Sequence, residues 1–300
     1  MKCFTFCQKL IHSTLFILLW LFLQSSVIGQ QATFSVETSG AGTPILFIPG
    51  YASTGEIWAE TIAQFDSETY ECHVLTLAGF GQTSGFKTDN YLQDISLDIV
   101  KYIQSNELVK PIIIGHSLGG LVALMVAINT TTPLGKIICV DAWPFTPAAI
   151  DPKATVESQK DLAETYFKFD SIPLGIKYTQ TREEVRPYVE ILTNRKEKVD
   201  QLVEMTVHSE DRICKQAMYD MFTVDTRAQL DQISSPVLIL GTWFAYKDYG
   251  ISEASMAESF RNQYEGLDQK EIYVHSDSRH FIMWDAPEWF LYHVFKFINQ

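Results

Sequence analysis

Three hundred residues, 46% apolar, 13% aromatic and 20% charged, describe a globular chain and exclude disordered, collagen-like and disulfide-scaffold proteins. Twenty-three lysines and arginines against 36 acids leave a net charge of −13. That sign argues against a nucleic acid or an anionic membrane surface as partner, because both need a basic face.

The first predicted element lies outside the fold. Met1–Ile28 opens with Lys2, Lys9 and His12, runs apolar through Leu15–Leu23, and turns small and polar at Gln24, Ser25 and Ser26. This is the three-part pattern of a secretory signal. Val27 and Gly29 suit the cleavage positions, so the cut is expected after Gly29, with Gln30 as the new first residue. The expectation is a secreted or periplasmic protein with no stable membrane span after cleavage. The alternative is a chain anchored by an uncleaved signal, for which the apolar run falls short of the roughly 20 residues of a span. Cys72, Cys139 and Cys214 remain, an odd number in mostly apolar runs, and read as buried thiols. A Cys72–Cys139 bond stays open.

Further along, Phe34–Thr38 alternates like a half-exposed edge strand. Ile45–Ile48, Cys72–Leu77, Pro111–Ile114, Lys136–Val140, Pro236–Leu240 and Lys270–Val274 read as successive strands. Helical spacing fills most gaps, at Trp58–Gln64, Tyr91–Gln104, Leu118–Ile128, Ser252–Gln263 and Ala286–Ile298. Such alternation predicts an α/β fold, a mostly parallel central sheet with helices on both faces. About ninety residues separate Trp143 from Ile233, too many for a loop. Their apolar spacing at Val156–Phe167, Arg182–Thr193, Lys196–Val207 and Arg212–Phe222 predicts a helical cap insertion. The expected organisation is a signal over 1–29, a core over 30–144, the cap over 145–232 and the rest of the core over 233–300.

Gly115-His116-Ser117-Leu118-Gly119 follows a predicted strand and opens a predicted helix. In that setting a serine sits on a strained turn that lifts its hydroxyl above the sheet, and the flanking glycines let strand and helix approach. Ser117 is the candidate nucleophile. The helix beginning at Leu118 directs free N–H groups and its dipole to the same place. The turn Pro49-Gly50-Tyr51 offers a second N–H, so Tyr51 and Leu118 form the expected oxyanion hole.

A serine needs a base, and His280, in the loop between the last strand and the last helix, can reach the sheet edge. Two carboxylates compete to orient it: Asp248, beyond Pro236–Leu240, is preferred, and Asp141, at the end of Lys136–Val140, is the alternative. His275 and His280 lack a third ligand, so no metal is expected. Trp143, Phe145, Trp243, Phe244, Tyr246 and Trp284 lie close to these motifs and are candidates for a substrate pocket.

Together these residues resemble the α/β-hydrolase fold superfamily, in its capped esterase, lipase and peptidase-like branch, over residues 33–299. Ile48-Pro49-Gly50-Tyr51 resembles the family's oxyanion turn, with Pro49 where His is commoner. Leu77-Ala78-Gly79-Phe80-Gly81 resembles its loop after the next strand, where an Asp often replaces Ala78. Gly115–Gly119 is the elbow, His280-Phe281 with Pro287 resembles the terminal segment, and Asp248 falls in the usual acid region. The resemblance implies a serine hydrolase without a cofactor, and Ser at position 117 argues against the members whose nucleophile is Asp. The expected reaction is hydrolysis of a small-molecule ester, or amide, with an apolar acyl or aromatic group. A ligand receptor on the same fold, and lyase or oxygenase chemistry without a cofactor, are the alternatives.

Overall fold

Continuous apolar runs need cover on both sides, and the computed structural model, which describes residues 32–168 and 181–300, provides it. The predicted signal Met1–Gly29 and its cut lie outside the described residues. In chain order the elements are β1 (Phe34–Gly40), β2 (Thr43–Ile48), β3 (Tyr70–Leu77), α1 (Tyr91–Ser105), β4 (Ile112–His116), α2 (Leu118–Asn129) and β5 (Ile137–Val140). After β5 come α3 (Val156–Ala163), α4 (Arg182–Glu190), α5 (Val199–Val207) and α6 (Asp211–Thr223). β6 (Val237–Thr242), α7 (Glu253–Gln263), β7 (Lys270–His275) and α8 (Pro287–Ile298) complete the chain.

The strands form one seven-stranded sheet in the order β1-β3-β2-β4-β5-β6-β7. β1 is antiparallel to β3, and every other pairing is parallel. Because side chains alternate across a strand, each central strand feeds two cores. Leu46, Ile113, Ile137 and Ile239 enter one, covered by α1, α2 and α7. Phe47, Ile114, Ile138 and Leu240 enter the other, closed by Phe290, Val294 and Phe297 of α8. Truncating a buried aromatic such as Phe290 to Ala typically costs about 3–5 kcal/mol. Cys72, Cys139 and Cys214 are buried free thiols, and burial pushes those of Cys139 and Cys214 up to about 12.

Some element ends differ from the sequence reading for local reasons. Trp58–Gln64 is a 3₁₀ turn, Gly55–Trp58, followed by a single α turn, Ala59–Ile62. The helix expected over Val156–Phe167 stays α to Ala163 and continues as a π turn, Glu164–Lys168. α4 stops at Glu190 because Thr193 and Asn194 bond to Asp285 instead of prolonging the helix.

β5 and β6 are neighbours in the sheet, yet α3 to α6 lie between them in the chain. These helices share the cores: Ile213, Cys214 and Ala217 join the first, and Val185, Val189, Leu202 and Val203 the second. Asp220 of α6 also caps α1, accepting the Leu92 N–H at 3.0 Å and, on its other oxygen, the Gln216 amide at 2.7 Å.

Burial pushes the Asp220 carboxyl up to about 6, against the pull of those donors. This lies above the ordinary 3.8, so folding favours the protonated form. The resulting stability is fully present below about pH 4 and lost as pH rises through about 6. Relative to Asp220→Asn, which does not titrate there, the wild type should lose about 3 kcal/mol between pH 4 and pH 8. Urea midpoints of both proteins across that range measure it, and a constant difference would mean that the carboxyl is no harder to ionise in the fold than in the open chain.

Candidate active site

The glycines of the elbow are fixed by close approach of backbone. A Cβ on Gly115 would lie 2.2 Å from the Gly119 carbonyl oxygen, and one on Gly119 would lie 2.4 Å from Ile48 O and 2.5 Å from Pro49 O. The first turn of α2 is thus pressed against the end of β2. Ser117, between them, has φ 54° and ψ −121°, a conformation that costs a non-glycine residue about 1–3 kcal/mol. The Ser117 N–H donates to Val140 O at 2.8 Å, tying the elbow to the end of β5.

Register then decides what stands beside Ser117. His116 is level with Val140, and Val140 with Leu240, so Asp141, one residue past β5, flanks the elbow. Asp141 takes a positive φ of 44° and is buried. Its Oδ1 accepts the Thr242 N–H at 3.2 Å, and its Oδ2 lies 2.6 Å from Nδ1 of His280. Since a carboxylate only accepts, Nδ1 is the protonated nitrogen and Nε2 the one left with a lone pair. The preference for Asp248 is corrected here: the carboxylate on His280 is Asp141. The Asp248 backbone lies in the 3₁₀ turn Phe244–Tyr249, and its side chain is outside those described.

The loop that carries His280 is braced on two sides. On the core side, the Thr242 hydroxyl donates to Ser278 O, and the Ser278 N–H donates to His275 Nδ1 at 2.9 Å. On the other side it meets residues 191–194, just beyond α4. Asp285 accepts Arg279 N–H at 2.8 Å, Asn194 N–H at 2.9 Å and the Thr193 hydroxyl at 2.6 Å. Phe281 N–H donates to Leu192 O, Arg279 to Ile191 O and Asn194 Oδ1, and the Asn194 amide to Asp277 O.

A cavity of about 590 Å³ opens over Ser117, Asp141 and His280. Gly50, Tyr51 and Leu118 form part of its wall. Leu118 is the first residue of α2, where an N–H has no acceptor within the helix. Trp143 and Tyr246 also line it. The other four aromatic candidates do not, and each is held elsewhere. Phe145 is fully buried against Ala148 and Ala154, with the Arg227 guanidinium 4.8 Å from its ring centroid. Phe244 lies under Lys247 and Arg279, Trp243 packs edge-on to Phe244, and Trp284 stacks on Phe281 and donates its indole N–H to Ile57 O.

The apolar wall comes instead from the helices between β5 and β6, through Val185, Val189, Leu202, Met218 and Met221. Their spacing marked a buried face without saying what lay against it. Among the described residues that line it, Asp141 is the one acid and none is Lys or Arg. Among the described residues no three of His, Cys, Asp or Glu converge to hold a metal, and no helix is long and apolar enough to cross a membrane.

A sequence model described as alpha/beta hydrolase fold matches residues 43–287, which include every residue of this site. Over 147 residues the chain is 29% identical to a pimeloyl-[acyl-carrier protein] methyl ester esterase of Pectobacterium carotovorum, covering 45% of this chain and 53% of that protein. The chain thus spans about half the length of that curated relative. An esterase from Exiguobacterium antarcticum superposes with a TM-score of 0.69 over 89% of this chain and 96% of its own, at 17% identity. An enol-lactonase from Burkholderia xenovorans LB400 does so with a TM-score of 0.66, over 89% and 96%, at 12% identity. At such identities the likeness is one of fold.

Proposed function

We propose that this chain, which belongs to the alpha/beta hydrolase fold family, is a serine hydrolase of small carboxylic esters with an uncharged apolar acyl group. The observation that carries the reading is the convergence of Ser117 and the His280–Asp141 pair on one largely apolar cavity.

In this reading the neutral Nε2 of His280 takes the Ser117 proton as Oγ attacks the acyl carbon. The N–H groups of Tyr51 and Leu118 hold the oxyanion, and Asp141 holds the imidazolium. The His280 proton leaves with the alcohol as the ester C–O bond breaks. Water, deprotonated by the same nitrogen, then attacks the acyl-enzyme, releasing the acid and restoring Ser117.

Among the described residues the cavity wall carries no Lys or Arg to pair with a carboxylate on the acyl chain, which favours a neutral apolar one. The ester-hydrolysing relative supports ester over amide as the scissile bond. The helices between β5 and β6 serve as the cap that sets chain length. Met221→Trp should therefore lower kcat/KM for an octanoate ester by about tenfold or more while an acetate ester changes by less than about threefold. Equal losses on both esters would remove the cap from substrate selection.

Met1–Gly29 acts as a cleaved secretory signal in the same reading, placing the enzyme outside the cytoplasm. Fluorophosphonate labelling of the protein from an expressing cell, read by intact mass, tests both parts. A single adduct on a chain beginning at Gln30 is expected. A well-folded chain that takes no adduct would overturn the hydrolase, and an adduct on a chain retaining residues 1–29 would overturn the cleavage.

A further inference from the structure

The ring of His116 has no part in the acyl-transfer steps, yet it touches three pieces of the machinery. Its Nε2 lies 2.9 Å from the backbone carbonyl oxygen of His280. A carbonyl only accepts, so Nε2 carries the proton and Nδ1 is a lone pair. That lone pair is buried with no partner and faces the turn after β2, where a Cβ on Gly50 would approach it to 2.9 Å. The ring centroid is 4.5 Å from that of His280 and 4.6 Å from that of Phe281, with Trp58 edge-on at 6.4 Å. An unpaired buried acceptor is destabilising, a penalty that Leu or Phe would avoid if the position had only to fill space.

Resting on the serine-hydrolase reading, we propose that His116 is a positioning residue: by donating its Nε2–H to the His280 carbonyl it fixes the backbone from which the base hangs. Asp141 ties only Nδ1 of that ring. The swing of Nε2 toward Ser117 still depends on where the His280 backbone sits, and His116, adjacent to Ser117 in the chain, references it to the elbow. Burial, reinforced by the neighbouring His280, holds His116 well below the usual imidazole range. The donor therefore stays neutral while His280 becomes cationic, and no second positive charge opposes the proton transfer.

The test compares wild type with His116→Gln, His116→Asn and His116→Leu, using p-nitrophenyl butyrate for kcat and KM and a fluorophosphonate for the labelling rate. A Gln amide reaches the place of Nε2, an Asn amide stops near that of Nδ1, and Leu has no donor. His116→Asn and His116→Leu should lose about 100-fold in kcat and in labelling rate with KM within about threefold, and His116→Gln should recover to within about tenfold of wild type. The acid limb of kcat/KM in His116→Gln should coincide with that of wild type.

Equal rates for the Gln and Asn variants would overturn the assignment, as would a displaced acid limb, which would make His116 itself the group that takes the proton. Should His116→Leu fail to fold, the Gln and Asn pair, alike in polarity, still decides. A folded wild type that takes no label would overturn the serine-hydrolase reading and this assignment with it. A labelled wild type with equal Gln and Asn rates would overturn the assignment alone.

Discussion

On the proposed mechanism Ser117→Ala should abolish fluorophosphonate labelling and lower kcat on an ester by about 10³-fold to 10⁶-fold, the span seen when a nucleophile is removed from a cooperating triad. Alanine keeps the Cβ, so the turn at φ 54° is no more strained than before, and the melting temperature should stay within about 3 °C of wild type. Only the oxygen is lost. Residual turnover should come from the oxyanion donors and from binding, with KM little changed. Retained labelling in a folded Ser117→Ala protein would mean that the nucleophile is another residue, and activity within about tenfold of wild type would favour chemistry in which His280 and its acid act without the serine.

Asp141→Asn should cost about 10⁴-fold in kcat, by analogy with the same change in other triads. The carboxylate has two donors to satisfy, Thr242 N–H on one oxygen and His280 Nδ1–H on the other. An amide has one oxygen, so either the Thr242 N–H is left unpaired or the amide NH₂ faces His280. The second arrangement demands the wrong tautomer, with the proton on Nε2, where a base must be bare. Asp248→Asn should leave kcat within about threefold. Steady-state kinetics on the two variants, with circular dichroism to confirm folding, separate the two carboxylates. The reverse outcome would restore Asp248.

How far the sequence could be read depended on whether a feature was set by neighbours along the chain or across it. β2, β4, β5 and β6 were legible because each is buried on both faces and so reads as an unbroken apolar run. The elbow was legible because backbone closeness at Gly115 and Gly119 tolerates no side chain, which leaves a local mark. The acid was not. Asp141 and Asp248 both follow a strand in the order that the mechanism allows, and what separates them is the register of β4 on β5 and a left-handed residue at Asp141. Neither leaves a trace in the residue types.

The aromatic pocket was misjudged for a related reason. Closeness in sequence to a strand end does not give closeness to the cavity, because between Val140 and Thr146 the chain is in neither strand nor helix and no regular period fixes which way a side chain faces. Trp143 faces the cavity while Phe145, two residues on, is sealed beneath Arg227. The ends of α4 to α6 show the converse. Val185, Val189 and Leu192 repeat at helical spacing, which promises a buried face, but only the fold brings that face over Ser117.

The hydrogen bonds between residues 191–194 and the loop of His280 give the cavity a mechanical property. Ile191 and Leu192 are part of its wall, and their carbonyls are held by Arg279 and Phe281, the residues on either side of His280. On the proposed mechanism, a guest wide enough to push that wall outward should also draw the imidazole away from the serine, so that oversized molecules lose more in turnover than in occupancy and act as competitive ballast, lodged in the chamber while the reaction idles.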